Sequence, residues 1–286
     1  MLEKKIKPLN LFLLTSLTLV FFAANSLLCK AALVDNHIDA FSFTFLRLFF
    51  ASIVLLLILF ITQKKVDINI KTNWENSFFL FLYAIAFSYA YINLDAGLGA
   101  LVLFASVQLT MVAYAFFKKE EINSKKLFGI ILAFSGLVYL LFPKEDFSIS
   151  TFHFFLMVIS GIGWGFYTIL GKKSKNVLND TTNNFVKTIL FTILFFIFFV
   201  DFTNFNSYGI FLAFLSGGIS SGIGYALWYF VLRNIQILTV SVIQLIVPVI
   251  AIFLSVLLLG EKLTFSLVFS SVLILCGIFI TIYKKA

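Results

Sequence analysis

The chain is 286 residues long, and 61% of them are hydrophobic whereas only 12% are charged. Soluble domains are about 45–50% apolar and about 25% charged, so this composition excludes an ordinary soluble fold and favours a chain whose outer surface faces lipid. The net charge is +8. The basic residues lie between apolar runs, which indicates orientation in a membrane and not binding to nucleic acid.

Ten apolar runs follow one another along the chain, each with about the 20 residues that a membrane-spanning helix needs. They cover residues 9–29, 40–62, 77–94, 97–117, 126–142, 152–171, 185–203, 208–232, 235–259 and 263–283. The runs are apolar on all sides, whereas the strands of a membrane barrel would alternate apolar and polar residues. The sequence therefore predicts an all-α membrane protein with ten transmembrane helices and no room for a separate soluble domain.

Basic residues predict the direction of these helices. With the N-terminus in the cytoplasm, seventeen of the 21 basic residues lie in inner segments, Lys30, Lys144 and Lys262 lie in outer segments, and Arg47 lies within a helix. Cytoplasmic loops are enriched in Lys and Arg. The pattern predicts a multi-pass protein of the bacterial inner membrane with both termini in the cytoplasm.

The first run also has features of a cleaved signal peptide. It has a basic start, an apolar centre and small residues at Ala23, Ala24 and Ser26. Its length favours a retained helix, because signal peptides have shorter apolar regions.

The second half of the chain resembles the first. Gln108 in run four corresponds to Gln244 in run nine, and an acidic hairpin follows each run, with Glu120 in the first half and Glu261 in the second. The predicted repeats cover residues 9–142 and 152–283. Because each repeat has five helices, the second must enter the membrane in the opposite direction. The sequence thus predicts a 5+5 inverted repeat.

Inverted repeats are typical of secondary transporters, which hold the substrate near the middle of the bilayer between the two halves. Two similar halves can exchange conformations and so open the site to each side of the membrane in turn. The repeat therefore predicts transport by alternating access.

At this point the sequence resembles a known family, the drug/metabolite transporter superfamily, and within it the transporters built from two EamA domains. The segments that carry the resemblance are Phe45-Leu46-Arg47-Leu48, the stretch from Gly97 through Gln108-Leu109-Thr110 to Glu120 and Gly136, Gly161-Ile162-Gly163-Trp164-Gly165, and the stretch from Gln244 through Pro248 to Gly260-Glu261-Lys262-Leu263 and Gly277. The resemblance implies a carrier for amino acids, other metabolites or toxic compounds. Phe22-Ala23 replaces the Trp-Gly of many members, and Lys119-Glu120 replaces the usual Gly-Glu, so substrate identity does not carry over.

Polar and aromatic side chains within the apolar runs are the candidates for substrate binding. They are Asn25, Tyr83, Gln108, Trp164, Tyr167, Tyr225, Trp228 and Gln244. A buried amide needs hydrogen-bond partners, so the amides either line a cavity or hold helices together. The aromatic residues either surround a partly apolar solute or form an interfacial belt. Trp164 lies well inside its run, which argues against the belt.

Two charges and one proline lie inside predicted helices. Arg47 either contacts an anionic group of the substrate or orients its helix, and the second interpretation is favoured, with Lys187 as its counterpart in the second half. Pro248 is either a hinge for gating or a static kink. Glu120 and Glu261 lie at loop edges and are interpreted as helix-end residues. Because no carboxylate stands out inside a run, a uniporter is at least as well supported as a proton antiporter.

The favoured function is export of amino acids or related metabolites. One alternative is a polytopic membrane enzyme that acts on a lipid-linked substrate, and a weaker one is an assembly protein. The sequence has no phosphate-binding glycine loop, no zinc motif and no nucleophile motif, so it predicts no ATP site, metal, cofactor or catalytic residue. The predicted partners are a small-molecule substrate and the lipid bilayer, in a monomer or a homodimer.

Overall fold

The computed structural model describes residues 8–64, 67–68, 71, 73–118, 124–142, 149–171, 174, 176–199, 203–232 and 243–282. Within these residues the chain is helical, and its one strand-like feature is an isolated antiparallel bridge between Ile38 and Phe205. The predicted all-α class is therefore confirmed. Glu120 lies outside the described residues.

Ten helical segments follow one another in this part of the chain. They are α1 (Pro8–Val34), α2 (Ala40–Gln63), α3 (Trp74–Ala90), α4 (Ala96–Phe117), α5 (Ser124–Leu141), α6 (Thr151–Gly171), α7 (Val177–Phe199), α8 (α-helical Ser207–Phe214, π-helical Leu215–Ile223 and α-helical Gly224–Leu232), α9 (Ile246–Leu259) and α10 (Phe265–Ile282). Residues 233–242, where the ninth run was predicted to begin, lie outside the described residues.

Six helices are long and apolar enough to cross a membrane, namely α1, α2, α4, α6, α7 and α8. The segments α9 and α10 are apolar but shorter in their described parts. The 17 residues of α3 rise about 26 Å, slightly less than a hydrocarbon core of about 30 Å. Length and composition thus identify six candidate spans, and a count of ten crossings remains a prediction.

The helix α7 begins at Val177, eight residues before the predicted start of run seven at 185. Its first turns are polar, so an apolar run does not reveal them. Those polar side chains are buried and have partners: Ser77 of α3 donates to Asn184 (3.2 Å), and Asn183 donates to the carbonyl of Asp67 (2.9 Å). Tertiary contacts therefore extend a helix that hydropathy predicts too short.

Helices of the first half pack mainly on helices of the second half. The main contacts pair α3 and α4 with α6, α1 with α8 and α9, α2 with α7 and α8, α4 with α9, and α5 with α10. Helices from both halves therefore enclose the buried centre of the molecule.

Loops of the two halves also join at one end of the bundle. The backbone N–H of Asp39 donates to the carbonyl of Asn204 (2.8 Å), and the N–H of Asn204 donates to the Asp39 carboxylate (2.7 Å). The same carboxylate caps α2 by accepting from the N–H of Ser42 (2.8 Å). Asp39 thus ties the α1–α2 loop to the α7–α8 loop.

Glu261, in the α9–α10 loop, makes a second connection between the halves at this end. Its carboxylate accepts the backbone N–H groups of Ala96 (2.5 Å) and Gly97 (3.1 Å) at the start of α4. These N–H groups have no partner within their own helix, and a helix N-terminus favours negative charge. Glu261 therefore occupies a helix end, as its interpretation as a helix-end residue requires.

Candidate functional site

A small cavity of about 20 Å³, room for about one water molecule, lies between five helices near the centre of the bundle. Its walls come from α1, α3, α4, α6 and α8, so both halves contribute. The lining residues are Phe22, Asn25, Tyr83, Phe87, Leu103, Phe104, Trp164 and Tyr225. Four of the residues that the sequence nominated for substrate binding are brought together here: Asn25, Tyr83, Trp164 and Tyr225.

Aromatic rings form most of the cavity wall, and Trp164 lies at their centre. Its ring centroid is 4.9 Å from that of Tyr83, 5.3 Å from that of Tyr225 and 5.4 Å from that of Tyr167. The ring centroid of Phe22 lies 5.8 Å from that of Tyr225. Ring faces and edges of this kind bind apolar groups, and the faces attract cations.

Two glycines that precede Trp164 bring α6 close to its neighbours. A Cβ on Gly163 would lie 2.9 Å from the backbone nitrogen of Tyr83, and one on Gly161 would lie 2.8 Å from the carbonyl oxygen of Leu103. Small residues let membrane helices approach closely in this way. The close approach places the Trp164 ring against the ring of Tyr83.

Asn25 presents the polar face of the cavity. Its Oδ1 accepts from the hydroxyls of Ser216 (2.8 Å) and Ser221 (3.4 Å), both in the π-helical segment of α8. In this arrangement both hydroxyls donate to the amide oxygen. The Nδ2 group, with two N–H donors, is therefore the part of Asn25 that remains for the cavity.

Arg47, in α2, lies beside this wall. It is only 1% exposed, and its guanidinium carbon is 5.1 Å from the ring centroid of Tyr83 and 4.8 Å from that of Phe87. Its Nε and Nη1 atoms make no hydrogen bond to any residue that the structure describes. The residue does not reach an interface as a snorkelling side chain would, because it is buried against two cavity-lining rings.

Tyr167 and Trp228, also nominated for substrate binding, lie behind the cavity wall. Tyr167 is buried, with its ring against Trp164 and its hydroxyl 3.5 Å from that of Thr181. Trp228 is also buried, with its ring 5.4 Å from that of Phe22. Burial separates Trp228 from the lipid-facing surface that an aromatic belt requires. Both residues are placed to fix the orientation of rings that line the cavity.

Gln108 and Gln244 are buried but are not among the residues that line the cavity. Gln108 lies one turn beyond Phe104 on α4, and its Nε2 makes no hydrogen bond to any described residue. Gln244 directly precedes the turn at Leu245, where α9 starts. Both amides are thus in the interior but outside the cavity lining.

Lys187 and Pro248, the remaining nominated residues, lie away from the cavity. Lys187 is buried in α7 with its ammonium group 5.7 Å from the ring centroid of Trp74. Pro248 lies in the first turn of α9, after the turn residue Leu245. A proline removes one backbone hydrogen bond from the preceding turn, which fits a helix that restarts at this point.

Four lining residues were not among the nominated set: Phe22, Phe87, Leu103 and Phe104. In a chain with 39 phenylalanines, residue type alone does not separate a cavity wall from a lipid-facing surface. Helical spacing carries a weak signal, since Phe22 is three residues from Asn25 and Phe87 is four from Tyr83, and such pairs share a helix face.

A larger, apolar groove of about 390 Å³ lies between α4, α5 and α6. Its lining is hydrocarbon apart from Ser106 and Thr110. Substrate sites need a few convergent polar groups to fix orientation, so the central cavity is the better candidate. Within the described part of the chain, no three His, Cys, Asp or Glu side chains cluster closely enough to hold a metal ion.

The chain matches the model of the EamA-like transporter family twice, over residues 10–142 and 151–283. It is 39% identical over 266 residues to an uncharacterized protein of Pseudomonas aeruginosa, covering 93% of this chain and 92% of that protein. It is 26% identical to an uncharacterized transporter of Bacillus subtilis, covering 87% and 89% of the two chains.

A protein of Escherichia coli named "Probable amino-acid metabolite efflux pump" is 25% identical to this chain, over 79% of this chain and 80% of its own length. One crystal structure superposes with a TM-score of 0.65 at 15% identity, over 96% of this chain and 98% of the other, which shows a shared fold. The two matches to the family model span nearly the whole sequence, and the chain belongs to the EamA-like transporter family.

Proposed function

We propose that this protein is a secondary transporter that exports amino acids or related small organic metabolites across the bacterial inner membrane by alternating access. The observation that carries the proposal is the central cavity, whose walls come from α1, α3 and α4 of the first half and α6 and α8 of the second. A site between two repeats is where secondary transporters hold their substrates. The name of the Escherichia coli relative supports the substrate class.

Helix pairing supports an inverted 5+5 architecture for the two repeats. If helix n of the first half corresponds to helix n+5 of the second, then the pair α3–α6 corresponds to α8–α1, and α4–α6 corresponds to α9–α1. All four of these helix pairs are in contact. The pairs α2–α7, α4–α9 and α5–α10 correspond to themselves, as contacts across a two-fold axis do.

Loop contacts support ten crossings, because they bring together loops that this topology places on the same side of the membrane. The α1–α2 loop meets the α7–α8 loop, and the α9–α10 loop meets the start of α4. At the other end, Gln63 and Asn176 exchange amide hydrogen bonds of 3.2 and 3.0 Å. A ten-helix topology with both termini in the cytoplasm puts the first two contacts outside and the third inside.

Counterflow in proteoliposomes tests the transport proposal. Liposomes loaded with one unlabelled solute are tested for uptake of the labelled solute, over a panel of amino acids and metabolites, with and without a pH gradient. We expect counterflow for at least one solute. No counterflow for any solute, with protein shown to be folded, refutes the proposal.

Trp164→Ala removes the ring at the centre of the cavity wall, and Phe198→Ala removes a lipid-facing ring of α7 that is 72% exposed. We expect the first variant to lose counterflow by at least tenfold, because the contacts between this aromatic ring and the solute are removed. We expect the second variant to keep its counterflow. Equal flux in the two variants contradicts a substrate site at this cavity.

A further inference from the structure

We propose that the central cavity selects solutes that carry a carboxylate group, through the charge of Arg47 behind its wall and the amide donors of Asn25 on its surface. The inference rests on the proposed transport function and narrows its substrate class.

Arg47 is a buried cation without a counter-ion among the residues that the structure describes. A guanidinium group stays protonated in proteins, and a buried charge is costly unless it is paired. The described acidic residues all lie in loops, at helix caps or in first turns, namely Asp35, Asp39, Asp67, Glu75, Asp95, Asp180 and Glu261. The rings of Tyr83 and Phe87 stabilise the cation in part, and Nε and Nη1 still make no hydrogen bond to the described residues.

Asn25 adds directional donors to this positive environment. Because Ser216 and Ser221 occupy its Oδ1, the amide is fixed with Nδ2 left for the cavity that Asn25 lines. An amide held in this way donates to an anion, whereas a freely rotating amide would present its oxygen equally well. In this arrangement a solute meets the Nδ2 end of Asn25.

The field of Arg47 reaches across the cavity wall. A solute in van der Waals contact with the Tyr83 or Phe87 ring lies within about 9 Å of the guanidinium carbon, since the ring centroids are 5.1 and 4.8 Å away. With an effective dielectric constant of about 20, that distance corresponds to a preference on the order of 30-fold for one negative charge over none.

The same wall offers aromatic surfaces for the rest of a solute once the two halves move apart to admit it. The rings of Trp164, Tyr225 and Phe22 suit an apolar group, and their faces also suit an ammonium group. A zwitterionic amino acid and a simple aromatic monocarboxylate therefore share the chemistry that the site recognises. Two pairs of probes distinguish these two classes of solute.

Each pair consists of a carboxylate and its matched amide: L-phenylalanine with L-phenylalaninamide, and phenylacetate with phenylacetamide. Binding to the purified full-length protein is measured in detergent by ligand-induced thermal stabilisation, which depends on affinity. We expect the carboxylate of at least one pair to bind on the order of 30-fold more tightly than its amide. Equal or tighter binding of both amides, or binding of no carboxylate, overturns the proposal.

Three variants test the residues. Arg47→Met is expected to reduce the ratio of carboxylate affinity to amide affinity to near one. Asn25→Asp keeps an oxygen for the two serine hydroxyls and places a second oxygen where Nδ2 was, so it is expected to reverse the preference. Lys187→Met also removes a buried cation, but away from the cavity, and is expected to leave the ratio unchanged. A ratio retained in Asn25→Asp overturns the proposal even where Arg47→Met fails to fold.

Counterflow of the same probes separates this inference from the transport function. Equal flux of acids and amides refutes carboxylate selection and leaves transport in place. Preferential binding of a carboxylate without counterflow of any solute supports the anion site and refutes the transporter.

Discussion

The adjacent glycines Gly217 and Gly218 of α8 provide a matched test of how the π-helical segment packs on α2. A Cβ on Gly217 would lie 2.3 Å from the carbonyl oxygen of Arg47 and 2.9 Å from its Cα. A Cβ on Gly218 would meet only side-chain atoms, of Phe214 at 3.3 Å and of Val54 at 3.4 Å. The first contact is with backbone that cannot rotate away, so the two helices must separate.

Overpacking of this kind costs about 1–3 kcal/mol, whereas replacing a helical glycine by alanine gains about 0.5–1 kcal/mol from backbone entropy. Gly217→Ala should therefore lower the free energy of unfolding by about 1–2 kcal/mol, or roughly 2–6 °C in apparent Tm. Gly218→Ala, in which side chains absorb a small contact, should stay within about 1 kcal/mol of the unsubstituted protein.

Thermal unfolding in one detergent, followed by fluorescence of the three tryptophans, measures both variants. The reasoning predicts a lower Tm for Gly217→Ala than for Gly218→Ala. A Gly217→Ala protein as stable as Gly218→Ala would show that α2 and the π-helical segment are not held at this distance, and the positions of Arg47 and Asn25 would then need revision.

Three further substitutions test single contacts by the same unfolding measurement. Glu261→Ala removes the carboxylate that caps α4 and should lower the free energy of unfolding by about 1–2 kcal/mol, whereas Glu261→Gln should retain part of that stability. Equal stability of the unsubstituted protein and both Glu261 variants would contradict the cap. Asp39→Ala removes the cap of α2 together with the tie to the α7–α8 loop and should cost at least as much, so an unchanged Tm would argue against both contacts. Gln108→Met replaces a buried amide whose Nε2 has no hydrogen-bond partner among the described residues, so the free energy of unfolding should stay equal or rise. A loss above about 1 kcal/mol would show that the amide does have a hydrogen-bond partner in the folded protein.

Much of the architecture could be predicted from hydropathy, because lipid requires long apolar helices with their backbone groups satisfied internally. The starts of α2, α6 and α8 agree with the predicted runs to within one residue. Hydropathy failed at the start of α7, where polar side chains are buried against other helices through hydrogen bonds. A polar residue in a protein interior and one in a loop look alike in the sequence.

The candidate site was less accessible to sequence reasoning. Residue type and depth within a run identified Asn25, Tyr83, Trp164 and Tyr225, which now lie around one cavity. The same criteria also selected Gln108 and Gln244, whose helix faces do not reach it. Phe22 and Phe87 line the cavity but could not be distinguished from the other phenylalanines, since which face of an all-apolar helix turns inward depends on its neighbours.

The sequence by itself determined the class of the molecule, its two repeats and its helical runs, because apolar length, charge placement and repetition are properties of the linear sequence. Only the tertiary structure decided the environment of individual groups. Arg47 is the clearest case: the sequence shows a charge in an apolar run and favours a role in orienting the helix. Packing buries that charge behind two aromatic rings, at the wall of a cavity and without a counter-ion among the described residues. The cost of a buried charge depends on what surrounds it, and contacts between distant parts of the chain supply those surroundings.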